Sequence, residues 1–226
     1  MEAVIKVGGS LAEEPRKLKA LCQSLSTLAK KLPLIVVPGG GRLADVVRTL
    51  DKRFMLSSEV SHRMAILAMD QFGLLLSWII PNSCVFHRLK NAKKLMEDGN
   101  TPIFLPSKLM FEEDPLENSW DVTSDSIAAY LAIRVKAKKL VLVTDVDGIF
   151  TSDPKNDSSA TLIKNFSTEQ LLAINRRTCV DSYLPKLLLD VHFDCYIVNG
   201  LFPERVKAVL EDLCTICTFV NSRKEQ

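Results

Sequence analysis

The chain has no long hydrophobic run. Its most extended apolar stretch, Phe72-Gly73-Leu74-Leu75-Leu76-Ser77-Trp78-Ile79-Ile80-Pro81, falls well short of the roughly 20 residues that cross a bilayer, so a buried helix end is expected there and no membrane partner. An excess of one charge is also missing. A formal net charge of +2 over 226 residues supplies no broad basic surface, which argues against nucleic acid as a main partner. No secretory leader is legible, because Lys6 and the early glycines interrupt the N-terminal apolar run. The six cysteines are scattered and do not form a disulfide scaffold; without a leader they are expected as reduced thiols in the cytoplasm. Neither G-x-x-x-x-G-K-[ST] nor G-x-G-x-x-G occurs, so a P-loop is excluded and a dinucleotide fingerprint has no support.

What is present is an ordinary globular composition, 47% hydrophobic and 25% charged, in a chain long enough for one substantial core or two lobes sharing a sheet. Glycine is sparse, yet five of the nine glycines sit in two short loops, Val7-Gly8-Gly9-Ser10 and Pro38-Gly39-Gly40-Gly41-Arg42. Each loop follows a short apolar run. Glycine lets successive N–H groups converge on one point, and a following helix adds its positive end, so the pair suggests two phosphate-sized anions. Lys6, inside the run Val4-Ile5-Lys6-Val7, is costly unless its ammonium reaches solvent or an anion at the strand's carboxyl end.

Apolar strand-length runs alternate with helix-period segments almost to the end. Leu18, Leu21, Leu25, Leu28 and Leu32 fall on one helix face; Leu43, Val46, Val47 and Leu50 mark another helix. A longer helix is expected from near Ser58 through Leu75, stopped by Pro81. Short strands are expected at Cys84-Val85-Phe86 and Ile103-Phe104-Leu105, with a charged helical piece between them from Lys93 to Asp98. Asp121 to Val135 reads as a loop feeding a helix, and Leu140-Val141-Leu142-Val143 as a buried strand ending in Thr144-Asp145-Val146-Asp147-Gly148. Ser167 with Gln170 makes a capping box, Tyr196-Ile197-Val198 another strand, and Pro203 opens a last helix. This alternation predicts an α/β fold, an open, mainly parallel sheet covered by helices on both faces, with ligands outside the carboxyl ends of the strands. No low-complexity linker or repeat divides the chain, so residues 1–226 are expected as one domain.

One ordered set of residues stands out. It comprises Lys6 before Gly8-Gly9-Ser10, the Gly39-Gly40-Gly41-Arg42 loop, Asp121-Val122-Thr123-Ser124-Asp125, Thr144-Asp145-Val146-Asp147-Gly148-Ile149-Phe150 with Asp153-Pro154, and Pro185-Lys186. Together they resemble the amino acid kinase superfamily, from Lys6 to about Arg205. The resemblance implies the family's three-layer sandwich, an acceptor-binding half over residues 1–118 and an ATP-binding half over 119–226. It implies homo-oligomers assembled through acceptor-half helices.

By that resemblance Lys6 and Lys186 would approach the transferred phosphoryl from opposite sides, with Asp125 orienting both ammonium groups. Gly8 and Gly9 would donate N–H groups to it, beside Ser10, and Thr144, Asp145, Asp147, Gly148, Phe150 and Asp153 would shape the nucleotide site. Mg²⁺ would ride on the ATP phosphates rather than in a protein metal site, as hard oxygen chemistry prefers. Phosphoryl transfer asks for such positioning and charge cancellation and for little covalent help. Gly39, Gly40, Gly41, Arg42, His62, Arg63, Asp121 and Thr123 are the candidates for holding a phosphate-bearing acceptor. Before Lys186 the chain has Cys179-Val180-Asp181-Ser182 where the family has glycines.

Ser61-His62-Arg63-Met64-Ala65-Ile66, Leu105-Pro106-Ser107-Lys108, Ser119 to Ser126, and Val198-Asn199-Gly200 with Pro203 to Val206 resemble the family's methanofuran-pathway branch. Its activity is ATP-dependent phosphorylation of [5-(aminomethyl)furan-3-yl]methyl phosphate, and Asp70 or Asp121 would then meet the amine. Nucleoside monophosphates or isopentenyl phosphate remain alternative acceptors, the latter along Met64, Met69 and Phe72. A nucleotide-binding storage or sensor protein of the same fold is the alternative outside enzymes. Convergence of Lys6 and Lys186 in space is the observation that separates them. Cys214-Thr215-Ile216-Cys217 is a lone C-x-x-C expected as buried thiols, and His62, His87 and His192 show no mutual ligand spacing.

Overall fold

The computed structural model describes residues 1–154, 156–174, 178–189, 191 and 193–221; His192 lies outside them. The first half runs β1 (Ala3–Val7), α1 (Pro15–Ala29), β2 (Leu34–Pro38), α2 (Gly41–Phe54), α3 (Ser58–Ile79), β3 (Ser83–Phe86), α4 (Ala92–Glu97), β4 (Thr101–Phe104) and α5 (Ser107–Glu113). The second runs α6 (Ser124–Arg134), β5 (Lys139–Thr144), β6 (Asn165–Ser167), α7 (Thr168–Ala173), α8 (Leu184–Leu188), β7 (Asp194–Asn199), α9 (Pro203–Leu210) and β8 (Thr218–Asn221). All strands join one eight-stranded sheet in the order β3-β4-β2-β1-β5-β7-β8-β6. Every pairing is parallel except β7 with β8. The alternating pattern of the sequence thus yields the mainly parallel sheet it implies.

Burial on both faces explains the uninterrupted apolar strands. Val4, Ile35, Val37, Leu140, Leu142 and Ile197 point into one cluster with Ile66 and Met69 of α3 and Ile127 and Leu131 of α6. Their neighbours Ala3, Ile5, Val7, Val36, Val141 and Val143 point the other way, against Leu21 and Leu25 of α1 and Val206 and Val209 of α9. Successive residues change face because the strand period is two. The sheet is therefore the middle of three layers.

Local signals in the sequence act as written. The Ser167 and Gln170 side chains form a reciprocal capping box on α7, and Pro203 stands at the first turn of α9. Lys139 is a polar residue the sequence pattern does not flag: it opens β5 but is buried, its Nζ donating to the Val209 and Leu210 carbonyls at 3.2 and 3.3 Å and pairing with Asp212 at 2.7 Å. It closes the C-terminal end of α9, where a cation is favoured.

The apolar pattern of α2 lands differently from its spacing. Ala44 and Val47 are buried, whereas Leu43 and Val46 are exposed, together with Phe54, Leu67, Leu74, Leu75 and Trp78, the last 88% exposed. An apolar stripe thus remains on the outside of the α2–α3 pair. No helix among the described residues is long and apolar enough to cross a membrane. All six cysteines are free thiols, but Cys214 is exposed and Cys217 half-buried, so the C-x-x-C is not the buried pair its apolar setting suggests.

Candidate active site

The site is built where β1 and β2 end side by side. The two strands pair in register from Ala3 opposite Leu34 to Val7 opposite Pro38, so their following loops emerge together. β1 leads into a 3-10 turn over Gly9–Glu13, and β2 leads into α2 through Gly40. The loops touch: a Cβ on Gly9 would lie 2.3 Å from the Gly41 nitrogen, and one on Gly39 would lie 2.7 Å from the Gly9 nitrogen. Gly41 also has φ +53°, a left-handed conformation that costs little only for glycine. The glycines are therefore required first for the approach of one backbone to the other. Two separate anion cradles are replaced by a joint floor.

Two expected donors are already engaged. The Gly8 N–H donates to the Val143 carbonyl at 2.8 Å and the Gly39 N–H to the Val7 carbonyl at 2.8 Å, which corrects the assignment of Gly8 as a phosphoryl donor and of Gly39 as an acceptor contact. What faces outward is the start of each helical turn, where opening N–H groups have no intrahelical acceptor.

A cavity of about 500 Å³ opens above this floor, within the usual range for small-molecule sites. Lys6, Gly8, Gly9, Ser10, Gly40, Gly41, Thr123, Asp125, Thr144, Asp145, Gly148, Phe150 and Asp153 line it, joined by Ala44, Asp45, Arg48, Ser124, Thr178 and Cys179. Lys6 is 7% exposed, with its Nζ 2.7 Å from Asp125 Oδ1. A strand lysine that looked expensive is thus met by a carboxylate from the first turn of α6. Cys179 donates to the Gly148 carbonyl, and burial pushes its thiol pKa up to about 12, so it stays an unreactive thiol at neutral pH.

The Thr144–Pro154 segment is held from behind. Thr218 of β8 accepts from the Ile149 N–H at 2.8 Å and donates to the Ile163 carbonyl at 2.6 Å. Asp147 does not line the cavity: its Oδ1 accepts from Asn199 Nδ2 at 2.8 Å and Arg205 Nη1 at 2.6 Å. That corrects its expected ligand role to a tie between this segment, β7 and α9.

Other expected residues also point elsewhere. Arg42 pairs with Glu13 at 2.5 Å with its side chain 79% exposed, and Arg63 pairs with Glu59 at 3.0 Å and stacks over Phe111. Asp121 accepts from Ser182 Oγ at 2.8 Å, while Asp70 binds the Ser107 N–H and hydroxyl. Neither carboxylate reaches the cavity. Lys186 is 56% exposed and 4.0 Å from Glu117. Leu184 and Leu188 are buried, and two residues beyond Leu184 a helical side chain points nearly opposite, so α8 carries Lys186 away from Lys6. Lys6 and Lys186 do not converge.

Among the described residues, a second cation besides Lys6 that lines the cavity is Arg48 of α2. Gly41, Ala44, Asp45 and Arg48 share a helix stripe at spacings of three, four and seven, so the Gly41 face carries Arg48 inward and leaves Arg42 outside. Arg48 pairs with Asp45 at 2.6 Å and lies 4.7 Å from the Trp120 ring, and Trp120 Nε1 donates to Asp51 at 2.7 Å. A small annex continues from this point, lined by His62, Ile66, Met69, Trp120, Val122 and Thr123 among others. Burial holds the His62 pKa below the ordinary imidazole value, so at pH 7 the ring is neutral and brings no charge for a phosphate.

Comparison with known proteins identifies the family. The profile of the amino acid kinase family matches residues 1–186. The [5-(aminomethyl)furan-3-yl]methyl phosphate kinase of Methanocaldococcus jannaschii is 33% identical over 95% of both chains. Uridylate kinase of Archaeoglobus fulgidus is 26% identical over 92% of this chain and 95% of its own. A crystal structure of uridylate kinase from Archaeoglobus fulgidus superposes with TM-score 0.79 at 24% identity, covering 98% of this chain and all of that one. An isopentenyl phosphate kinase substrate complex superposes with TM-score 0.67 at 18% identity, covering 97% and 99%. With its site at the ends of β1, β2 and β5 and its profile match across the first 186 residues, the chain belongs to the amino acid kinase family and is a phosphotransferase.

Proposed function

We propose that the protein transfers the terminal phosphoryl group of ATP to a small phosphate monoester in the cytoplasm, and that the acceptor is [5-(aminomethyl)furan-3-yl]methyl phosphate. Residues 119–226 would hold the nucleotide and residues 1–118 the acceptor. The observation that carries this reading is the buried Lys6–Asp125 pair between the glycine floor and the Thr144–Pro154 wall. An oxygen of the acceptor phosphate attacks the γ-phosphorus, the bond from that phosphorus to the β,γ-bridging oxygen breaks, and ADP leaves. The attacking oxygen is already anionic at neutral pH, so no general base is needed. Lys6 contributes positive charge where the transferred group sits, and Asp125 fixes the direction of that ammonium.

The donor set fits a nucleotide that brings its own cation. Among the described residues no group of three or more His, Cys, Asp or Glu is arranged to hold a metal. The cavity meets a polyanion with Lys6 and Arg48 but also with Asp45, Asp125, Asp145 and Asp153. Mg²⁺ on the ATP phosphates would offset that acidic wall.

On the acceptor side Arg48 would take the acceptor phosphate and Asp45 its cationic aminomethyl group, with the ring toward Trp120. The similarity to the Methanocaldococcus jannaschii enzyme supports this acceptor. ADP release from ATP with aminomethylfuran phosphate, UMP, AMP and isopentenyl phosphate tests it. Turnover of aminomethylfuran phosphate is expected, and turnover of nucleotides alone would overturn the acceptor. Arg48→Met is expected to raise KM for the acceptor by about ten- to a hundredfold and to leave KM for ATP nearly unchanged.

The stripe of Leu67, Leu74, Leu75 and Trp78 on the outside of α3 supports a homo-oligomer built through this helix. Sedimentation is expected to show a dimer, and Trp78→Glu a monomer.

A further inference from the structure

Asp181 lies in the segment Cys179-Val180-Asp181-Ser182 and is 3% exposed. Its carboxylate gathers five donors. Oδ2 accepts from the Thr123 N–H at 2.8 Å, the Thr123 hydroxyl at 2.9 Å and the Ser126 N–H at 3.0 Å. Oδ1 accepts from the Ser126 hydroxyl at 2.6 Å and the Leu184 N–H at 2.8 Å. The start of α6 and the start of α8 are thereby fastened to one side chain. Its own N–H then donates to Asp125 Oδ2 at 3.2 Å, while the other Asp125 oxygen faces Lys6 Nζ.

We propose that Asp181 is a positioning residue for phosphoryl transfer: it clamps the first turn of α6 so that Asp125 stays aimed at Lys6. The inference rests on the reading of Lys6 as the group that faces the transferred phosphoryl. Among the described residues Asp125 Oδ1 has no neutral hydrogen-bond donor of its own, so its direction is set by Lys6 on one side and the Asp181 N–H on the other. Burial and the neighbouring Asp125 charge raise the Asp181 pKa above the ordinary carboxylate value. Five donors are the means by which such a group is kept as an acceptor beside a second carboxylate.

Asp181→Asn tests this. The new amide can turn its NH₂ toward the Ser126 hydroxyl, which can accept, but it then meets the Leu184 N–H donor to donor. The clamp loosens on the α8 side, which frees the segment whose Asp181 N–H holds Asp125 Oδ2 at the start of α6. Acetylation of Lys6 by acetic anhydride, followed by peptide mass spectrometry on the whole protein, is expected to be roughly fivefold faster than in the wild type, since losing a hydrogen bond is worth about that factor. kcat for ADP release is expected to fall by roughly tenfold or more, with KM for ATP within about threefold, the signature of misplacement rather than lost binding.

A folded Asp181→Asn protein with wild-type Lys6 labelling would overturn the proposal. Where that variant gives no cooperative melt, Ser126→Ala removes a single donor and decides by the same labelling: faster supports the clamp, unchanged rejects it. The labelling needs no acceptor. If the wild type turns over none of the candidate phosphates, the proposed function fails while the labelling rates still decide whether the clamp exists.

Discussion

Lys6→Met is expected to lower turnover by about a hundred- to a thousandfold, while KM for ATP moves by no more than several-fold. The ammonium is held in the cavity by Asp125 before any substrate arrives, so it costs little rearrangement when charge shifts along the transferring group. Its value is greatest in the transition state, which is why kcat should carry the loss. Steady-state ADP release checks this, and near-normal turnover would refute the role. The same substitution strands Asp125, 5% exposed, without its partner, and breaking such a buried pair costs about 3–5 kcal/mol. Lys6→Met with Asp125→Leu removes both charges together, so it should melt close to the wild type yet stay inactive. That comparison separates lost chemistry from lost stability.

Gly9→Ala is the second large effect, and it acts through the backbone. The added methyl would sit 2.3 Å from the Gly41 nitrogen and 2.4 Å from its Cα, and neither is a flexible side-chain tip that can swing aside. Gly41 cannot retreat cheaply, because it is the first residue of α2 and already holds a left-handed φ of +53°. Separating the loops would break the register at the ends of β1 and β2. A loss of about 3 kcal/mol or more is expected in urea unfolding, at the high end for overpacking. Any residual folded protein should bind ATP poorly, since the floor would have moved. Gly99→Ala is a contrasting variant: nothing lies within 4 Å of its added Cβ, so its cost is limited to the left-handed φ of +78°.

Most of the fold was legible because it rests on period and punctuation. Strand runs such as Leu140 to Val143, the Ser167–Gln170 box and Pro203 are local signals that tertiary contacts had no reason to override. Lys6 was legible for a different reason: a lone charge in a buried run demands a partner, and the fold supplies Asp125. Several misplaced residues are polar neighbours of correctly placed ones. Arg42 beside Gly41 and Lys186 beside Pro185 differ from cavity or core residues by one position, and one position turns a helical side chain by about 100°; Asp147 beside Gly148 lies in a bend after β5. Arg48 could have been found by following the Gly41 face in steps of three and four. Asp181 could not, because its five donors come from three positions that no local pattern connects. Nor could Leu43 and Val46 be told from core residues, since an apolar stripe reads alike whether it faces the sheet or a second copy.

The pairing of β8 bears on how the protein is made. Among the described residues β6 finds its sheet partner only in β8, and Thr218 of β8 bridges the Ile149 N–H and the Ile163 carbonyl. On the ribosome the strands of the glycine floor, β1 and β2, can pair once the first forty residues or so have emerged. The Thr144–Pro154 wall must wait for residues 218–221, a long-range closure that local propensity cannot hasten. A nascent chain paused before that point would carry the floor of the site without a finished opposite wall, and would be open to proteases along the stretch between β5 and β6.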